Sequence, residues 1–140
     1  MGLFNFIFGK IPEQHHRINA WKTKHRDKLA GIEKERSPEW NRVKNAHKKQ
    51  FPNCMVCGSK KRINVHHMKP FHLFPDLELE PSNLITLCMD PKRECHIKIG
   101  HGDFFQAYNP KVKDHVNTLR GSLNKFNDIA EEAKRIRLME

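Results

Sequence analysis

The sequence predicts an α+β fold organised around bound metal. Three observations carry that expectation. All four cysteines fall between Cys54 and Cys95, about a third of the chain. Two short β-rich runs lie in that same segment, and one short helical run begins at its end. The flanking segments carry apolar residues at helical rather than strand spacing.

In chain order, Ile18, Trp21, Leu29 and Ile32 fall near one face of a basic N-terminal helical segment. Ser37-Pro38-Glu39 then reads as a helix start, with serine as N-cap, proline in the first position and an acid in the first turn. That helix is expected over 38–50, with Trp40, Val43 and Ala46 facing inward, and Phe51-Pro52-Asn53 ends it. Arg62 to His66 forms a short strand with Ile63 and Val65 on one face. A loop rich in proline and aromatic residues follows over 69–82, then a second strand over 83–88. A short helix is expected over 93–99, closed by Gly100 and Gly102. From Val112 to Leu138 the apolar residues recur at three and four, which predicts one amphipathic helix flawed only at Gly121. The expected organisation is a basic helical arm at 1–38, a central metal-binding domain at 39–110 and a C-terminal helix at 111–140.

Apolar residues make up 37% of the 140-residue chain and charged residues 30%, which permits only a modest core and favours a metal staple. The formal charge of +10 points to a polyanionic partner, nucleic acid above all, without saying whether that partner is cut or only held. Residues 1–53 hold 12 Lys and Arg against 5 Asp and Glu, so most of the excess sits in the N-terminal third, as phosphate contacts or as a solvated helix face. The apolar cluster Leu3, Phe4, Phe6, Ile7 and Phe8 fits packing on the domain or on a partner subunit. The start lacks a basic export region, a spanning apolar run and the Ser/Thr of a myristoylation signal. The expectation is therefore no membrane and a reducing cytoplasm, where cysteines bind metal rather than pair.

Cys54 and Cys57 form a Cys-x2-Cys knuckle followed by Gly58; Cys88 and Cys95 form a looser pair. Four thiolates suit tetrahedral zinc, with His96 or His101 as alternative fourth ligands. Of the ten histidines, His15, His16, His25, His47 and His115 lie among polar helical residues and are expected at the surface. His66, His67, His96 and His101 cluster around the predicted strands and short helix. Adjacent strand residues point to opposite faces, so His66 and His67 divide their tasks. One could join His96 at a metal while the other takes a proton from water, as hydrolysis needs. The alternative is a set of histidines that only packs around the zinc. His101 could be a third ligand, a phosphate contact or a plain helix-end residue; a separation of five from His96 takes it off a shared α-helical face, which favours the last two.

The composite Cys-x2-Cys, Val65-His66-His67-Met68-x-Pro70, Asn83-Leu-Ile-Thr-Leu-Cys88 and Cys95-His96 resembles the HNH endonuclease family over about Trp40 to Tyr108. The tail from Gly100-His101-Gly102 to Tyr108-Asn109-Pro110 is similar to a small free-standing type found in tailed phages and bacteria. The resemblance implies a ββα-metal core stapled by structural zinc on Cys54, Cys57, Cys88 and Cys95, with 39–110 as the nuclease domain. It implies His67 as general base, His66 and His96 as ligands of a catalytic divalent ion (Mg, Mn, Ni or Zn), and Asn83 as an orienting residue. The ion would polarise the scissile phosphate of DNA, leaving 5′-phosphate and 3′-hydroxyl ends. A phage packaging or restriction protein is a conceivable partner. The alternative is a non-catalytic zinc module that binds nucleic acid or protein.

Overall fold

The computed structural model describes residues 35–139. The apolar cluster at Leu3–Phe8, the helical face through Ile32 and the histidines at 15, 16 and 25 lie outside the described residues.

Helix α1 spans Trp40–Gln50. It begins later than the expected 38, because Ser37 closes the turn before it: its Oγ accepts from Glu39 N at 3.1 Å and its carbonyl from Trp40 N at 3.0 Å. Ala46 is exposed and His47 is buried instead, which corrects two expectations. The reason is phase: a helix advances 3.6 residues per turn, so position 47 returns to the face of Trp40 and position 46 does not. There the His47 ring meets Phe51 at 4.9 Å.

Strand β1 (Ile63–His67) pairs antiparallel with β2 (Leu84–Cys88), Ile63 opposite Cys88 and His67 opposite Leu84. Both begin one residue later than expected. Arg62 takes a left-handed turn at φ 49°, and Asn83 belongs to a short 3-10 turn, Pro81–Asn83. The α-helix expected over 93–99 is instead a single π turn, His96–Gly100, entered through Glu94 at φ 51°.

The C-terminal segment is two helices, α2 (Val112–Gly121) and α3 (Phe126–Ile136), rather than one. Gly121 is more than a mild flaw: glycine is a weak helix former, and Ser122 after it is extended at φ −160°, ψ 96°. A 3-10 turn, Leu123–Lys125, then restarts the helix. Leu119, Leu123 and Phe126 keep their three-and-four spacing across the break, which is why periodicity alone hides it. Val112, Val116, Leu119 and Phe126 share one core with Leu87, Ile99 and the cysteines. The helices thereby back the π turn. Their chain closes through a bridge between Tyr108 and Leu138. His115, expected at the surface, is buried in this layer. Among the described residues no helix is long and apolar enough to cross a membrane.

Gly102 sits at φ 61°, where a Cβ would lie 2.6 Å from the Ala133 carbonyl oxygen of α3. Gly102→Ala should therefore cost about 1–3 kcal/mol through left-handed strain and backbone overlap. A urea melt of zinc-loaded protein measures it; an unchanged midpoint would show that α3 does not press on this turn.

Candidate metal centres and active site

The cysteines come together because two loops are tied to each other. In the knuckle, Gly58 N donates to Cys54 O at 2.9 Å and Cys54 N to Ser59 O at 2.8 Å. Met55 N donates to Thr86 O at 2.8 Å, which lays the knuckle against β2. Ser59 Oγ donates to Asp90 Oδ2 at 2.7 Å, and Asp90 Oδ1 accepts from Lys92 N at 3.1 Å. The hydroxyl and that amide hold the Asp90 carboxyl below its ordinary range. The six residues between Cys88 and Cys95 thus form a turn organised by Asp90, which brings the looser pair to the knuckle.

All four Sγ atoms lie within 4.8 Å of one another, with no disulfide. Cys57 Sγ and Cys88 Sγ are 3.6 Å apart. A tetrahedron with Zn–S bonds of about 2.3 Å has edges of roughly 3.8 Å, so the spacing fits zinc. The charge balance points the same way. Cys54 is drawn down to about 5 by the hydrogen bond from Cys95. Cys95 is pushed far up by that same bond and by burial, and Cys57 is raised to about 11 by burial. The Cys54 thiolate forms at the expense of Cys57 and Cys95; a dication at the centre would favour the thiolate form of these ligands.

Strand alternation sends His66 and His67 to opposite faces, as expected. His66 faces the π turn and meets His96 and His101, with ring centroids 5.1 and 4.8 Å away. The three offer ring nitrogens within 4.8 Å of one another. His101 was expected to stand apart from His96, but that expectation assumed α-helical spacing. Through the wider π turn the two Nε2 atoms come within 3.3 Å. His101 Nδ1 lies 2.9 Å from Ala107 O, which can only accept, so Nδ1 carries the proton and Nε2 keeps its lone pair. His96 Nδ1 is buried without a partner. Gly100 allows the approach: a Cβ there would press on His66 Cε1 at 3.2 Å. Burial, then the neighbouring imidazoles, hold His66 well below its ordinary value; burial and His101 lower His96 to about 4. At neutral pH the three are uncharged nitrogen donors, the form that binds a divalent transition metal.

On the other face, His67 Nε2 lies 2.9 Å from Glu78 O, and the His67 ring lies 4.5 Å from Trp40. The Glu78 carboxylate is buried, accepts from Ser37 N at 3.1 Å and pairs with Arg36 at 3.9 Å. Arg36 in turn lies 5.2 Å over the Trp40 ring. Asn83 is buried; its Oδ1 accepts from Lys69 N at 2.8 Å and its Nδ2 donates to Lys69 O at 3.0 Å and Leu77 O at 3.2 Å. It thus closes the long β1–β2 loop at both ends.

Residues 54–102 match the family model described as HNH endonuclease. The chain carries an HNH domain. No curated protein and no solved structure matches it. The matched span begins at the knuckle and ends at Gly102, so it takes in the hairpin, all four cysteines and the three clustered histidines, and leaves α1, α2 and α3 as surroundings of the HNH domain.

The sequence favours a lesser role than metal ligand for His101 and does not single out Glu78 or Arg36. Gly-His-Gly was a visible signal for His101; nothing local marks Glu78, whose partners are 41 residues away in Ser37 and 11 away in His67.

Because the folded-state pKa of His96 lies below its unfolded value, the unfolded chain takes up the proton first as pH falls. Stability from this group is complete above about 6.5 and declines toward about 4. In protein with zinc on the cysteines and no second ion, NMR should find His96 still neutral at a pH where a free imidazole is charged. Titration of His96 near its ordinary value would mean that the cluster is open to water.

Proposed function

We propose that the chain is a metal-dependent endonuclease that hydrolyses DNA phosphodiester bonds with His67 as general base. The hydrogen bond from His67 Nε2 to Glu78 O carries this reading. A carbonyl can only accept, so the proton stays on Nε2 and the lone pair falls on Nδ1. Burial lowers the His67 pKa, which keeps that lone pair free at neutral pH. Once Nδ1 takes a proton from water, the imidazolium is supported by the Glu78 carbonyl and by the Trp40 ring against it. Asn83 holds the loop that carries Glu78 and so keeps the base aimed.

His66, His96 and His101 would hold the catalytic divalent ion, and Cys54, Cys57, Cys88 and Cys95 the structural zinc. When bound, the catalytic ion supplies Lewis-acid charge at the phosphate. Three imidazoles favour Mn, Ni or Zn over Mg, whose preference is for oxygen ligands. Adjacent on β1, His66 and His67 would set the ion site and the base side by side along one strand. The net charge of +10 suits a DNA backbone, and binding should weaken steeply with salt.

Supercoiled-plasmid cleavage by wild type and His67→Ala, with Mg, Mn and Ni each added after chelation, tests the proposal. Wild type should cut, and His67→Ala should lose about 10²–10⁴-fold in rate while still binding DNA. Equal cutting by both would remove His67 from the role of base. No cutting by either in any metal would favour a zinc module that only binds.

A further inference from the structure

Ile99 lies inside the π turn, with His96 before it and His101 after it. As a residue near a helix end, its carbonyl cannot rely on a partner within the turn. Asn109 Nδ2 donates to that carbonyl at 2.7 Å. Asn109 is only 1% exposed, and its side chain is engaged on every side. Its Oδ1 accepts from Lys111 N at 3.0 Å, and Nδ2 also lies 3.0 Å from His115 Nδ1. Those contacts fix each group's role. The Asn109 amide nitrogen can only donate, so His115 Nδ1 must accept and its proton must sit on Nε2. Nε2 lies 3.3 Å from Glu132 Oε2, within ion-pair reach although off the line of an ideal hydrogen bond. A polar chain therefore runs from Glu132 on α3, through His115 on α2 and Asn109, to the backbone between two of the clustered histidines.

Burying this many polar groups is costly unless they are satisfied, and the same area would pack as well with apolar residues. The arrangement makes sense if its product is precision at the π turn. A π turn is one residue wider than an α-turn and is not a preferred local geometry. Something outside it must hold it open.

We propose that Asn109, His115 and Glu132 are positioning residues for the histidine metal centre, acting by clamping the Ile99 carbonyl. This rests on the reading of His66, His96 and His101 as metal ligands. None of the three belongs to the histidine cluster itself. They set the distance between His96 and His101, and so the fit of the ion, much as partners behind metal ligands do generally.

The test is titration of Co(II) into full-length protein with zinc held on the cysteines, read by the visible absorption of the bound cobalt. Asn109→Ala should weaken cobalt binding about 10–100-fold and alter its spectrum, with one zinc per chain and the melting transition retained. If Asn109→Ala does not fold, Glu132 decides, because it is one-third exposed and its replacement leaves no buried hole. Glu132→Leu should weaken cobalt binding at least about threefold, and Glu132→Gln, which can still accept from Nε2, should restore it. Folded Asn109→Ala with wild-type affinity and spectrum overturns the inference, as do Glu132→Leu and Glu132→Gln that both match wild type. If wild type itself binds no second ion, the reading of the histidine centre fails, and the clamp fails with it.

Discussion

Everything in the described fold hangs on the four sulfurs of Cys54, Cys57, Cys88 and Cys95. A two-stranded hairpin is marginal on its own in water. Here its strands are joined by a long loop, which adds the entropy of closure. The sulfur cluster removes that burden at one end, since Cys88 ends β2 and the knuckle lies against β2 through Thr86. Cys95 directly precedes His96, so the same cluster also fixes where the π turn begins. The two candidate metal sites, one of sulfur and one of imidazole, are thus linked by one peptide bond. Laid against β2, the knuckle supports the hairpin whose other strand carries His66 and His67.

The second constraint is strand alternation. His66 and His67 are neighbours in sequence but turn to different surroundings, one toward imidazoles, the other toward Trp40 and the Glu78 carbonyl. Burial lowers the pKa of both, with different consequences. For His66 it secures a neutral donor. For His67 the Glu78 carbonyl opposes part of the shift, which suits its proposed role as general base. Helix α1 and the residues leading into it belong to this site as well as to the scaffold, because Trp40 covers the His67 ring and Arg36 and Ser37 grip Glu78.

The parts legible in the sequence were those encoded by residue type at short spacing. Cys-x2-Cys, the His-His pair at a β-rich run, and Asn83 before the second strand each announced themselves locally. What stayed hidden depends on distant contacts. The π turn at His96–Gly100 looks like a short α-helix in sequence, and that assumption separated His101 from His96. His47 and His115 looked like surface residues among polar neighbours. The first returns to the inner face of α1, and the second finds Asn109 and Glu132, partners six and seventeen positions away. The break at Ser122 was masked because the apolar residues on both sides pack into one core and so keep a continuous period.

The central claim is that one chain separates two metals by ligand chemistry, sulfur for the staple and imidazole for the reaction. X-ray absorption spectroscopy on protein loaded first with one zinc and then with one cobalt tests it directly. The zinc edge should give an all-sulfur shell at about 2.3 Å, and the cobalt edge a nitrogen and oxygen shell free of sulfur. A mixed sulfur–nitrogen shell at either edge would contradict the account, because the cysteines and histidines would then form one shared site.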